Sequence, residues 1–115
     1  MLLKLLLSEI FELMTNWAQI DKRCDRRTHF WAEWINLDTP DDDGDLELNM
    51  YKSSCANSVY LEVQTVDGLT LDQVNQVVQL DKDCFGFMCL NRDQREGQTC
   101  YDYKTRECCP IKNGK

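Results

Sequence analysis

A chain of 115 residues with a formal net charge of −7 is long enough for one domain with a modest core. Its acidity and its scattered basic residues argue against a nucleic-acid binder, because phosphate repels an acidic surface. No segment approaches the roughly 20 apolar residues of a membrane-spanning helix, so we expect no membrane span.

The first predicted element covers residues 1–22 and is an amphipathic helix. Its apolar residues fall at spacings of three and four and form one stripe: Leu3, Leu7, Ile10, Met14 and Trp17. The leucine-rich start also resembles a degenerate or truncated export signal. Such a signal needs roughly 7–15 apolar residues, whereas Glu9 and Glu12 interrupt this stretch. A packed helix is therefore the favoured interpretation, and a cleaved signal is the alternative.

Residues 24–110 form the predicted domain, which is mainly β, and residues 111–115 are a tail. Strand patterns occur in "FWAEWINL", "VYLEVQTV", "VVQL", "FGFMCL" and "YDYKTREC". "DTPDDDGDLE" and the Asp67–Gly68 pair have turn composition, and Thr70 suits the cap of a short helical turn. We expect a small, disulfide-bonded, β-sandwich-like module.

Cysteine is unusually frequent in this chain. The seven cysteines are Cys24, Cys55, Cys84, Cys89, Cys100, Cys108 and Cys109. This density predicts a disulfide framework in a secreted, extracellular protein. A zinc site is the alternative, but no C-x2-C pair is present. Because the count is odd, at least one thiol is free or pairs between chains.

Carboxylates crowd the segment that follows the first strand pattern. They are Asp38, Asp41, Asp42, Asp43, Asp45 and Glu47. Their mutual repulsion predicts a bound calcium ion, which accepts oxygen ligands in flexible geometry. An EF-hand is excluded, because placing Gly44 at loop position 6 puts Thr39 and Met50 where acidic residues belong. A solvated acidic turn is the alternative.

Alternation along the chain selects candidate calcium ligands within these segments. Asn36 and Asp38 are two residues apart, which directs their side chains to one side of a strand end. Asp45 follows in the acidic segment, and "LNRDQ" offers the second alternating pair, Asn91 and Asp93. These five residues are the predicted metal site.

Trp31 and Trp34 form a W-x-x-W motif. In a continuous strand their rings face opposite sides, so at most one is plainly core. The motif is also the acceptor pattern for C-mannosylation, a secretory-pathway modification of the first tryptophan, Trp31. Catalysis finds little support, because His29 is the single histidine and no hydrolase, phosphate-loop or metalloprotease motif is present. We therefore predict a protein that is not an enzyme.

Five motifs in this order resemble one known family: "WAEWINLDTPDDDGDLEL", "LEVQTVDG", "QVVQL", "GFMCLNRDQ" and "CYDYKTRECCP". The family is the WxxW domain, or CysD domain, of gel-forming mucins and cartilage intermediate layer protein. The resemblance implies an extracellular, disulfide-bonded, β-rich module that binds calcium and associates with itself or with other matrix or mucus proteins. A secreted module that binds glycans or microbial surfaces is the alternative function.

The resemblance extends to individual residues. Trp31 and Trp34 match the WxxW pair, while Asn36, Asp38, Asp45, Asn91 and Asp93 match the family's polar positions. Cys55, Cys89, Cys100, Cys108 and Cys109 match family cysteines. Phe30 occupies a position where members often carry cysteine, Cys24 lies upstream of it, and Cys84 lies a few residues beyond its counterpart. The disulfide pairing therefore stays open at this point.

Overall fold

The computed structural model describes residues 21–41, 43–48 and 52–112. The predicted N-terminal helix lies outside the described residues. Within the described part, the strands are β1 (His29–Trp31), β2 (Gly44–Leu48), β3 (Tyr60–Thr65), β4 (Gln79–Asp81), β5 (Gly86–Leu90) and β6 (Tyr103–Pro110). A short helix α1 (Leu71–Val74) follows β3, and a 3₁₀ turn covers Asn91–Asp93. No described helix is long and apolar enough to cross a membrane.

The strands form two small antiparallel sheets, which confirms the mainly-β prediction. The first sheet has the order β1-β6-β3, and the second has the order β2-β5-β4. The predicted alternation in β3 holds for Leu61 and Val63, which are each 6% exposed and pack in the core. It does not hold for Glu62, which is 7% exposed, or for Val59, which is 50% exposed. The rings of Phe87 on β5 and Tyr103 on β6 lie 4.8 Å apart and join the two sheets.

Three disulfide bonds hold the sheets and their flanking segments. They are Cys24–Cys108, Cys55–Cys109 and Cys89–Cys100. The disulfide framework is thus confirmed for six cysteines. Cys84 was included in the predicted framework, and that inclusion is wrong: Cys84 is an exposed free thiol. It lies in the turn between β4 and β5, and the other six cysteines already pair with one another.

The acidic segment is not the continuous turn that its composition predicted. Its second half is strand β2, in which Asp45 lies opposite Cys89 and Glu47 lies opposite Phe87. Gly44 makes this possible: its φ is +142°, and a Cβ atom there would lie 1.9 Å from the Cys89 carbonyl oxygen. The close approach lets β2 pair with β5 and directs two carboxylates into the core.

Candidate functional site

Asp45 is the most unusual residue of the acidic segment. Its side chain is fully buried, because alternation along β2 places it on the inner face beside Cys89. The Oδ2 atom accepts a hydrogen bond from the Tyr103 backbone N–H at 2.5 Å, whereas the Oδ1 atom has no hydrogen-bond partner. A buried polar atom without a hydrogen-bond partner destabilises the folded state, so the Oδ1 atom is a candidate ligand for a bound group.

The burial of Asp45 also changes its acidity. Loss of solvent raises the pKa of its carboxyl group to about 7. The Tyr103 N–H opposes this rise, whereas the negative charges of Glu47, Asp102 and Asp38 add to it. Asp45 therefore lies in a group of carboxylates whose charges disfavour its ionisation.

Glu47 lies two residues further along β2, on the same inner face. Its carboxylate accepts hydrogen bonds from the backbone N–H groups of Leu37 at 2.6 Å and Asp38 at 3.2 Å. Burial raises the pKa of Glu47 to about 7 in spite of these hydrogen bonds, and the charges of Asp38 and Asp102 raise it further. Glu47 thus holds the segment after the WxxW motif against β2.

Asn36 and Asp38 hold the segment after the WxxW motif close to Asp45. The Asp38 Oδ2 atom accepts a hydrogen bond from the Leu46 N–H at 3.0 Å, and the Asn36 Nδ2 atom donates one to Asp102 Oδ1 at 3.0 Å. The predicted ligands Asn36, Asp38 and Asp45 are therefore gathered around one region, together with Asp102 and Glu47. As these side chains stand, no group of three or more histidine, cysteine, aspartate or glutamate residues in the described chain is arranged to hold a metal ion.

The second pair of predicted ligands, Asn91 and Asp93, lies in a different environment. The Asn91 Oδ1 atom accepts a hydrogen bond from the Cys100 N–H at 2.8 Å, and its Nδ2 atom donates to the Asp41 carbonyl oxygen at 2.7 Å. Both polar atoms of the Asn91 side chain thus tie the acidic segment to the chain ahead of β6. Asp93 is exposed in the 3₁₀ turn.

The WxxW tryptophans contribute to a stack of rings and cations on the outer face of the first sheet. The Arg106 guanidinium lies 4.2 Å from the Trp31 ring and 4.6 Å from the Trp34 ring. Lys104 lies 4.6 Å from the Trp34 ring, and Arg23 lies 5.3 Å from the Trp31 ring. These distances are typical of cation–π contacts. We call this group, with Glu62, the Trp–Arg stack.

Glu62 organises the cations of the Trp–Arg stack. Its carboxylate accepts a hydrogen bond from Arg106 Nε at 2.6 Å and forms an ion pair with Arg23. Asp21 adds to the group by accepting a hydrogen bond from the Trp31 indole N–H at 3.2 Å, and its bonds to Arg23 hold the pKa of Asp21 at about 2. The residues just before Cys24 are therefore integral to the domain.

The prediction that the two tryptophan rings face opposite sides is wrong. The Ala32 N–H donates to the Glu107 carbonyl and the Ile35 N–H donates to the Thr105 carbonyl. An advance of three residues along the WxxW segment therefore corresponds to an advance of two residues along β6. An extra residue of this kind reverses the alternation, as in a β-bulge. Trp31 and Trp34 consequently lie on the same face, with Arg106 in contact with both rings.

We expect Glu62→Gln to lower the free energy of unfolding by about 1–3 kcal/mol, because two cations lose the charge that holds them. Near-ultraviolet circular dichroism, which reports tryptophan packing, should change in the folded variant. Gln64→Ala is the matched control, since Gln64 lies two residues along the same face of β3 and should cost less than about 0.5 kcal/mol. Equal effects of the two substitutions in urea unfolding would contradict this role of Glu62.

Sequence reasoning missed several residues of these two groups. The sequence around Asp102 contains no signal for its role, because Asp102 reaches Asn36 only through the pairing of Ile35 with Thr105 on β6. The sequence does contain a pattern that indicates the cations of the Trp–Arg stack. Lys104 and Arg106 are two residues apart on β6, and Arg106 lies opposite Glu62 on β3, so their alternation indicates a charged outer face.

Comparisons with known proteins identify the family of this chain. The family model described as the Mucin-2 protein WxxW repeating region matches residues 31–109. Cartilage intermediate layer protein 1 is 38% identical over 86 residues in both Mus musculus and Homo sapiens, covering 70% of this chain and 7% of that protein. Cartilage intermediate layer protein 2 of Homo sapiens is 35% identical over 88 residues, covering 70% of this chain and 8% of that protein. The chain thus spans less than a tenth of these relatives, and it belongs to the mucin WxxW domain family.

Proposed function

We propose that this chain is a non-enzymatic module of the extracellular matrix or of mucus, which binds calcium and associates with copies of itself or with other matrix proteins. Membership of the mucin WxxW family and similarity to the cartilage intermediate layer proteins support the matrix assignment. Three disulfide bonds in so small a domain support an oxidising, extracellular location.

The observation that carries the calcium proposal is the buried Asp45 Oδ1 atom without a partner. A bound cation would satisfy this atom and allow Asp45 to be ionised. The nearby oxygen donors are carboxylates and one amide, which suits a hard cation rather than a soft one. Calcium fits better than magnesium, because it accepts six to eight oxygen ligands in irregular geometry.

Asp45 would be the central ligand through Oδ1, with Asp38, Asp102 and Asn36 as its partners. Small side-chain rotations are required, since the described carboxylates do not form a three-ligand group as they stand. Asn36 would release its hydrogen bond to Asp102 and turn its amide oxygen inward. When bound, calcium supplies the positive charge that offsets the repulsion among these carboxylates.

Calcium should raise the melting temperature of the purified domain relative to the same sample in chelator. A ligand that binds only the folded state adds about 2.7 kcal/mol at a hundredfold excess over its dissociation constant. Magnesium at the same concentration should produce a smaller rise, because it demands a tighter octahedron. Thermal unfolding with calcium, magnesium or chelator measures the effect.

Two alanine variants test which residues are responsible for the effect of calcium on the melting temperature. Asp38→Ala should remove most of the calcium-dependent rise in melting temperature, whereas Asp43→Ala should retain it, because the Asp43 side chain is exposed to solvent in the bend before β2. Identical melting curves in calcium and chelator for the unmodified protein would reject the site. The acidic segment would then be explained as a solvated turn leading into a buried strand.

We also propose self-association, which the family assignment supports, and C-mannosylation of Trp31, which the W-x-x-W acceptor pattern supports. A net charge of −7 makes copies repel one another at low ionic strength, and neutralised carboxylates would weaken that repulsion. Sedimentation of the folded domain with and without calcium tests the first proposal. Peptide mass spectrometry of secreted protein, which would detect one added hexose on Trp31, tests the second.

A further inference from the structure

The members of the Trp–Arg stack form a row in which cations and indole rings alternate. The order along the row is Arg23, Trp31, Arg106, Trp34 and Lys104, and the distance from each cation to the neighbouring ring is between 4.2 Å and 5.3 Å. Lys104 and Arg106 lie on the same face of β6 because they are two residues apart. The row therefore extends along the surface of the sheet rather than closing around a pocket.

One end of the row has hydrogen-bond donors that no described residue occupies. Arg106 donates from Nε to Glu62, whereas its two terminal nitrogens make no hydrogen bond within the described chain. Lys104 lies over an indole ring and forms no ion pair with a described carboxylate. The carboxylate two residues before it, Asp102, bonds to Asn36 instead. These donors are therefore available to an anionic ligand.

Glu62 leaves the donors accessible because it is the buried partner. The Glu62 side chain is 9% exposed, whereas the Arg106 side chain is 24% exposed and the Arg23 side chain is 42% exposed. The carboxylate thus fixes both guanidinium groups without covering them. A side chain that is already fixed loses little conformational freedom when a ligand binds, so the row is preorganised for binding.

A row of fixed cations suits a particular class of ligand. The terminal nitrogens of an arginine bind two oxygens of one sulfate or carboxylate group side by side, and a lysine binds the next such group as a point charge. The edges of the indole rings supply apolar surface between the cations. A linear polymer in which anionic groups alternate with sugar rings matches this arrangement, whereas a single small anion does not.

We propose that the Trp–Arg stack binds a sulfated polysaccharide through sulfate groups on Arg106 and Lys104. Sulfate groups stay fully ionised, so they supply the charge density that offsets repulsion from a chain with a net charge of −7. The inference rests on the extracellular location in the proposed function, where such polymers occur. It does not rest on the calcium site, because Asp45 lies in the second sheet.

Binding of the full chain to heparin, a heavily sulfated polysaccharide, tests the proposal. Fluorescence polarisation of labelled heparin, in chelator and at low ionic strength, measures the dissociation constant. We expect Lys104→Gln to weaken binding about fivefold, the upper range for one exposed ion pair. Arg106→Lys should weaken binding about tenfold, because it keeps the charge and loses the paired donors. Near-ultraviolet circular dichroism checks that both variants retain the packing of the tryptophans.

Lys52→Gln is the matched control, because it removes the same charge away from the row. Lys52 is exposed and adjoins Ser53, which bonds to Glu107 on the face of β6 opposite to Arg106. Heparin binding should be nearly unchanged in this variant. Equal losses in Lys52→Gln and Lys104→Gln would overturn the proposal, because the attraction would then depend only on the net charge of the chain.

Three competitors of labelled heparin distinguish a sulfated polysaccharide from other anions. Chemically desulfated heparin should compete at least about tenfold more weakly than heparin, and inorganic sulfate at the same sulfate concentration should not compete. Equal competition by either ligand, stronger competition by a DNA oligonucleotide, or an absence of heparin binding contradicts the proposal. Recovery of the disulfide-bonded chain from culture medium tests the extracellular location separately, so a failure of location and a failure of binding are distinguishable.

Discussion

Replacing Cys24 and Cys108 together with alanine is expected to lower the free energy of unfolding by about 3.7 kcal/mol. The sequence separation of the two cysteines is 84 residues, but the Cys55–Cys109 bond remains in the variant. The loop that Cys24–Cys108 closes in the unfolded chain therefore runs through that bond and spans roughly 33 residues, and the chain entropy that a disulfide removes increases with loop length. Removing Cys89 and Cys100 should cost less, about 2.8 kcal/mol, because that separation is 11 residues. Urea unfolding of both variants measures the difference.

The two disulfides form a well-matched pair for this comparison. Cys24 and Cys100 are each 4% exposed, and Cys108 and Cys89 are each 0% exposed, so the packing lost on changing cysteine to alanine is similar. Both variants are best made with Cys84→Ala, which removes the exposed free thiol and prevents disulfide exchange. Cys84→Ala alone should change stability by less than about 0.5 kcal/mol. A larger loss for Cys89 and Cys100 than for Cys24 and Cys108 would contradict the loop-length explanation.

In the absence of calcium, raising the pH from 5 to 7.5 is expected to lower the free energy of unfolding by about 2 kcal/mol or more. Burial raises the pKa values of Asp45 and Glu47 to about 7, whereas both groups titrate near pH 4 in an unfolded chain. The folded state therefore retains protons that the unfolded state has released in this window. Stability must then decrease as the pH rises, until both groups are ionised in the folded state.

Asp45→Asn isolates the contribution of Asp45 to this pH dependence. The amide retains an oxygen that can accept a hydrogen bond from the Tyr103 N–H, but it does not ionise. The decrease in the free energy of unfolding between pH 5 and 7.5 should therefore be reduced by about half. Asp43→Asn is the control and should keep the full slope, because Asp43 is exposed. Asp21, whose pKa is lowered to about 2, loses its stabilising ion pair only below this window. Urea unfolding in chelator at several pH values gives the slopes, and a flat profile for the unmodified protein would contradict the burial of ionisable carboxyl groups.

The amino-acid sequence by itself determined the fold class and the family. Leu61 and Val63 alternate with polar residues, and this pattern identified β3 because successive residues of a strand point to opposite faces of a sheet. "FGFMCL" and "YDYKTREC" identified β5 and β6 for related reasons, and Thr70 correctly indicated the start of α1. The cysteine density indicated a disulfide framework, since so small a core needs covalent support. These signals are local or compositional, and they do not depend on which segments meet.

Only the tertiary structure decided which residues meet. The aspartates, proline and glycine before Asp45 have turn composition, yet pairing with β5 converts Asp45 and Glu47 into buried strand residues. One extra residue opposite β6 places Trp31 and Trp34 on the same face, which no periodicity in the WxxW segment indicates. The choice of Cys84 as the free thiol, and the approach of Asp102 to Asn36, likewise depend on strand register. Register arises from the packing of distant segments, whereas sequence patterns report only the alternation within each segment.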